Sequence, residues 1–119
     1  MPIFVFDKQT ISETEWQPRA DVYSTPTGWA LKFDLAGVRP EDVKVEVQDM
    51  FLRVSGVRRD WIIERGWRHQ SMEIAYSRFE RVFQLPCDPT TCRVSIERQE
   101  GMLVVRIDDE RKRKELDYE

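Results

Sequence analysis

The side chains that could do chemistry in this chain are few: one histidine, His69, and two cysteines, Cys87 and Cys92, among 119 residues. A Ser-His-Asp or Cys-His relay needs a base within hydrogen-bond reach of its nucleophile, and only His69 could supply it, from a polar stretch beside Arg68. It reads instead as a solvated imidazole. Cys87 and Cys92 are separated by four residues with no second pair, short of the four ligands of a structural zinc site. They read as small residues near the start of a strand, with a redox switch left open to them. The five glycines form no phosphate-cradling loop, and no acid and base stand at a recognisable catalytic spacing. Arg111-Lys112-Arg113-Lys114 could face a phosphate backbone, but residues 108–110 are acidic and Glu115 and Asp117 follow, the pattern of a solvated tail. The expectation is a protein with no catalytic residues, no metal and no cofactor.

Composition points the same way. The net charge of -3 arises from 22 acidic and 19 basic side chains mixed along the chain, which argues against nucleic-acid partners selected by a basic footprint. Apolar residues make up 40% and charged residues 34%, enough to fill one core and to solvate its outside. A chain of this size buries roughly 60 to 70% of the surface its unfolded form exposes. The longest apolar run near the start, residues 3–6, is closed by Asp7 and is far too short for a membrane span or a secretory signal. Two cysteines are too few for the disulfide framework of a small secreted fold, so a reducing cytoplasm is the expected setting.

The elements that would carry any site are strands. Between residues 20 and 107 apolar residues recur at every second position, punctuated by Gly or Pro every ten or so residues. Residues 20–25 form a β-rich run closed by Pro26-Thr27-Gly28. Trp29, Leu31, Phe33 and Leu35 then alternate with smaller or charged residues, so one face of that strand is buried. Val43, Val45 and Val47, then Leu52, Val54 and Gly56, repeat the pattern, as do residues 72–76, 79–85, Val94 with Ile96, and Leu103, Val105 and Ile107. Residues 58–71 differ: charges surround Trp61, Ile62, Ile63 and Trp67, too polar for core and too apolar for an idle loop. Seven to eight short strands with no helix between them predict an all-β fold, an immunoglobulin-like antiparallel β-sandwich. It divides into an arm over residues 1–17, the sandwich over 18–107, and a charged tail over 108–119.

Five blocks in fixed order resemble the small heat-shock, or α-crystallin domain, family. They are Pro18-x-x-Asp21-Val22-Tyr23; Asp34-Leu35-Ala36-Gly37-Val38-x-x-Glu41-Asp42-Val43-x-Val45; Leu52-x-Val54-Ser55-Gly56; Glu73-x-x-Tyr76-x-x-Phe79-x-Arg81-x-Phe83-x-Leu85-Pro86; and Gly101-Met102-Leu103-x-Val105. Ala36, Ser77 and Ile96 depart from the residues usual at those places, which bears on local turns and not on the fold. Two further departures bear on function: the arm is short, and no Ile-x-Ile or Ile-x-Val pair follows Ile107.

The resemblance implies an ATP-independent holdase that binds partly unfolded client proteins and pairs with itself as a homodimer or a larger oligomer. An open groove between two edge strands would serve that function, and Val43, Val45, Val47, Val94 and Ile96 are the candidates for its floor. Alternation does not say which face meets solvent, so plain core packing stays open for these five. Trp61, Ile62, Ile63 and Trp67 resemble the loop through which members exchange arms, the other reading being that they fold back over their own sheet. Ile3, Phe4, Val5 and Phe6 form a docking arm in which Ile3-Phe4-Val5 reproduces the missing Ile-x-Val spacing, or else a frayed terminus. Two other functions share the fold: a co-chaperone module docking on a folded partner chaperone, and an assembly subunit without client capture.

Overall fold

Two hairpins set the frame of the molecule, because their turns leave little choice of register. The computed structural model describes residues 5–6 and 16–117. Strands β2 (Ala20–Thr25) and β3 (Gly28–Asp34) are joined through Pro26-Thr27, with Thr25 opposite Gly28. A Cβ at Gly28 would fall on the carbonyl of Ile107, so glycine is what lets β3 lie against the last strand. Strands β7 (Cys92–Gln99) and β8 (Met102–Asp109) are joined by Glu100-Gly101, with φ of 54° and 77°. Two successive positive values make the turn whose twist matches that of a two-residue hairpin.

The other strands are β1 (Val5–Phe6), β4 (Val43–Gln48), β5 (Phe51–Val57) and β6 (Arg78–Gln84). All pairings are antiparallel, in two four-stranded sheets ordered β1-β6-β5-β4 and β2-β3-β8-β7. The immunoglobulin-like sandwich is thus what the alternation predicts. Leu31 and Phe33 of β3 and Leu103, Val105 and Ile107 of β8 face Leu52 and Val54 of β5 and Phe79 and Phe83 of β6, all essentially sealed from solvent. Phe33 meets Phe83 edge to face at 5.5 Å between ring centroids. Each such side chain contributes about 1.5–3 kcal/mol on burial.

Three expectations are corrected. Residues 72–76 form no strand; β6 begins only at Arg78, and 58–77 is one long connection. The charged tail is not simply solvated: residues 110–117 form helix α1 (Glu110–Asp117). The local reasons are visible in its ends. Asp109 precedes the first turn and accepts the Arg111 N–H through Oδ1 at 3.0 Å, Glu110 lies at the positive end, and Lys114 at the negative end. Lys112 lies over the ring of Trp29, 4.1 Å from its centroid, which fixes the helix to the sheet. Finally, Cys87 and Cys92 are not isolated small residues but form a disulfide, because the connection from β6 to β7 brings the two together with Cα atoms 6.5 Å apart. Among the described residues no helix is long and apolar enough to cross a membrane.

Candidate functional site

Strands β4 and β7 are edges of opposite sheets, and among the described residues neither pairs on its outer side. Between them lies a cleft of about 260 Å³ lined by Pro40, Val43, Val45, Ile96, Glu97, Arg98 and Leu103. Val43 and Val45 are half-buried because odd positions of β4 point inward across the β4–β5 ladder, where they sit opposite Gly56 and Val54. Leu103, 1% exposed, belongs to the core and closes the cleft from below. Ile96 is 54% exposed, so the cleft has one apolar wall that is largely wet.

The five groove residues of the sequence reading do not share one environment. Val43, Val45 and Ile96 line the cleft. Val94, two residues nearer the start of β7, packs against the core. Val47 lies beyond the cleft at the far end of β4 and is exposed. The rim is charged. Arg106 donates from Nε and Nη2 to Oε1 of Glu97, at 3.1 and 2.6 Å, and Arg98 reaches across to the carbonyl of Leu35 at 3.5 Å. A strand entering the cleft would meet apolar walls and, at the edges, backbone groups able to extend either ladder.

The second apolar surface is the connection 58–77. Trp61, Ile62, Ile63 and Trp67 are all exposed, Ile62 at 83%, and Met72, Ile74 and Tyr76 join them. The ends of the loop are tied by one residue: Arg58 donates from its backbone N–H to Ser77 O at 2.9 Å and from Nε to Ala75 O at 2.8 Å. Its guanidinium also stacks on Trp16 at 3.6 Å from the ring centroid. Arg59 pairs with Asp42 at 3.4 Å, and Arg39 covers one face of Trp61 at 3.5 Å. The loop is therefore anchored at its root and along Trp61, while Ile62 is left to solvent. His69 is exposed in this loop beside Arg68.

Of the amino-terminal docking residues, Ile3 and Phe4 lie outside the described residues. Val5 and Phe6 form β1, opposite Phe83 and Val82 of β6. That is the edge of the sheet remote from β4, so within one chain Val5 does not occupy the cleft.

Two residues to which the sequence assigned no role of their own have structural ones. Arg81 lies between Phe79 and Phe83 on the inward parity of β6 and donates from Nη1 to Pro18 O at 2.6 Å, tying the segment before β2 to the opposite sheet. The strict Phe-x-Arg-x-Phe alternation could have signalled an inward arginine. Asp109 is the buried charged side chain among the described residues, and no local pattern marks it, since three acidic residues stand in a row. Near the β2 edge, a hydrogen bond with Tyr23 holds Lys32 above its ordinary pKa.

Residues 21–117 match the Hsp20/alpha crystallin family. The chain is 30% identical over 102 residues to a 22.7 kDa class IV heat shock protein of Pisum sativum, covering 85% of this chain and 52% of that protein. It is 37% identical over 92 residues to a chloroplastic 22 kDa heat shock protein of Chlamydomonas reinhardtii, covering 73% and 57%. It thus spans little more than half the length of these two relatives. Among solved structures, a small heat-shock protein from Xylella fastidiosa superposes with a TM-score of 0.68 at 25% identity, over 81% of this chain and 88% of that one. Heat shock protein 16.0 from Schizosaccharomyces pombe gives 0.70 at 23% identity, over 80% and 88%. With a sandwich of the same architecture and a family match from β2 through α1, the chain belongs to the Hsp20/alpha crystallin family.

Proposed function

We infer that this protein is an ATP-independent holdase, which binds partly unfolded chains and keeps them from aggregating, and does so by binding rather than by catalysis. The observation that carries this reading is the cleft between β4 and β7, with half-wet apolar walls flanked by two strand edges that are unpaired among the described residues. Burial of apolar surface contributes about 25 cal/mol per Å² irrespective of client sequence, and an open edge adds backbone pairing that is equally indifferent to sequence. Neither term needs a nucleotide.

The same reading assigns the loop 58–77 to self-association. In a second copy the edge of β2, which is unpaired among the described residues and carries the exposed Val22 and Tyr23, offers backbone groups and apolar surface against which Trp61, Ile62 and Ile63 can be buried, giving a homodimer. The cytoplasm is the compartment in which this activity is expected, and cell fractionation checks it. The central test is light scattering of a heated client without nucleotide. Scattering falls as the protein is raised toward equimolar amounts; scattering that does not change with protein concentration overturns the reading.

A further inference from the structure

The fold brings together three side chains that are distant in function from the cleft. Cys87 lies on the connection after β6, Cys92 opens β7, and Asp109 ends β8 opposite Cys92 in the β7–β8 ladder. Their two sulfurs and a carboxylate oxygen all lie within 4.8 Å of one another. The cysteines are half-buried and Asp109 is 9% exposed.

Asp109 is the buried carboxylate of this cluster. A buried carboxylate is costly unless a cation or several donors compensate it. Among the described residues one donor reaches it, the Arg111 N–H on Oδ1, and no ion pair between described residues involves it. Arg93, Arg113 and Lys114 line a neighbouring cavity of about 320 Å³ together with Asp108, Asp109 and Glu110. Leaving Asp109 itself aside, three cations there face two acids, so the charge around Asp109 in that cavity is net positive.

We propose that Cys87, Cys92 and Asp109 form a metal site for a thiophilic divalent cation, with Zn²⁺ as the fitting ion, occupied when the two cysteines are reduced and closed when they form their disulfide. Zinc holds thiolates at about 2.3 Å and carboxylates at about 2.0–2.2 Å. Tetrahedral ligands at those lengths are just under 4 Å apart, within the span of this cluster. Two thiolates and one carboxylate give three protein ligands, and water completes the fourth position. The two-cysteine motif alone is short of a ligand set; the hairpin register supplies the third member, which the sequence did not reveal.

The exchange between states balances as ordinary thiol–disulfide chemistry. An external dithiol gives two electrons and two protons to the Cys87–Cys92 bond and leaves as its own disulfide. The cation then binds the two sulfurs and releases the two thiol protons. A low-molecular-weight disulfide reverses the first step and expels the metal. The two states constrain different segments. The disulfide joins only the β6–β7 connection to the start of β7, whereas the metal also ties both to the end of β8 and the start of α1.

The test uses the full chain, reduced with a phosphine and freed of metal, and titrated with Co²⁺ as a spectroscopic stand-in for Zn²⁺. One equivalent per chain is expected to give the absorption of a tetrahedral thiolate complex, and Zn²⁺ is expected to displace it. Cys87→Ser and Cys92→Ser should each abolish it. Asp109→Asn, which keeps an oxygen for the Arg111 N–H, should weaken binding by roughly tenfold or more while leaving the circular dichroism spectrum unchanged, since loss of even an outer-shell partner costs that much. Zn²⁺ should also slow alkylation of the thiols in the parent and not in Asp109→Asn. Absence of thiolate absorption at one equivalent, two chains per metal, or unchanged affinity and alkylation protection in a folded Asp109→Asn variant overturns the proposal. None of these readouts depends on client binding, so holdase activity can fail independently.

Discussion

The cleft between β4 and β7 and the loop 58–77 both present apolar side chains to water, yet they are built in opposite ways. In the cleft, Val43, Val45 and Ile96 sit on paired strands, their directions fixed by the β4–β5 and β7–β8 ladders. In the loop, Trp61, Ile62, Ile63 and Trp67 belong to no strand, and among the described residues they are restrained by the Arg58 hydrogen bonds at the root, the Arg59–Asp42 pair, the Arg39 stack on Trp61 and the Trp67 N–H bond to Glu64 O. A pre-shaped cleft loses little conformational entropy when it accepts a chain. A loop side chain as exposed as Ile62 loses more, and recovers it only through a large and specific burial. The difference fits the roles proposed above, a cleft for weak, varied occupants and a loop for one permanent partner.

The sharpest way to break that comparison is at the loop. Changing Trp61, Ile62 and Ile63 together to Ser removes three apolar side chains worth roughly 1.5–3 kcal/mol each on burial. The expected outcome is a shift from dimer to monomer in analytical ultracentrifugation, with the thermal unfolding of the sandwich little changed. A variant that still sediments as a dimer assigns the loop to its own sheet.

Next in size is the floor shared by cleft and core. Leu103→Ala should cost about 2–5 kcal/mol of stability, because it opens a cavity where the sheets meet. Chemical denaturation reads this as a lower midpoint, and it marks the limit at which loss of the cleft cannot be separated from loss of the fold.

Ile96→Ser sharpens the comparison from the cleft side. Ile96 is about half exposed, so its removal should cost under about 1 kcal/mol of folding stability. Client affinity should fall by up to about 1.5–3 kcal/mol, roughly ten- to a hundredfold. Weaker suppression of light scattering at unchanged dimer mass is the expected pattern, and a loss of dimer with suppression intact would exchange the two roles.

The smallest effect is electrostatic and lies in the connection that carries Cys87. The Thr90 backbone N–H and hydroxyl both donate to Asp88 Oδ1, at 2.9 and 2.8 Å, and hold its carboxyl below the ordinary Asp value. A group whose pKa is depressed on folding contributes stability that is fully present above its unfolded pKa and is lost as pH falls through the folded one. A carboxyl-carbon NMR titration should find Asp88 titrating below ordinary aspartates, and Thr90→Val should move it back part of the way.

The alternation of apolar residues along 29–35, 43–47, 52–56, 79–85 and 103–107 determined by itself that the chain is a sandwich of short antiparallel strands. A period of two leaves a strand only one face to bury, and the turn residues at 26–28 and 100–101 fix where each strand ends. The same pattern could not separate Val94 from Ile96. Both point to one side of β7, and only the second sheet's position decides that the first packs on core while the second meets water. Nor could it foresee α1, since a run of charged residues is a poor helix in isolation and becomes one here through Asp109 at its start and Lys112 against Trp29. The pairing of Cys87 with Cys92 and the approach of Asp109 were likewise decided by tertiary structure. Asp109 is seventeen residues from Cys92 in the sequence, and only the hairpin register places the two opposite each other.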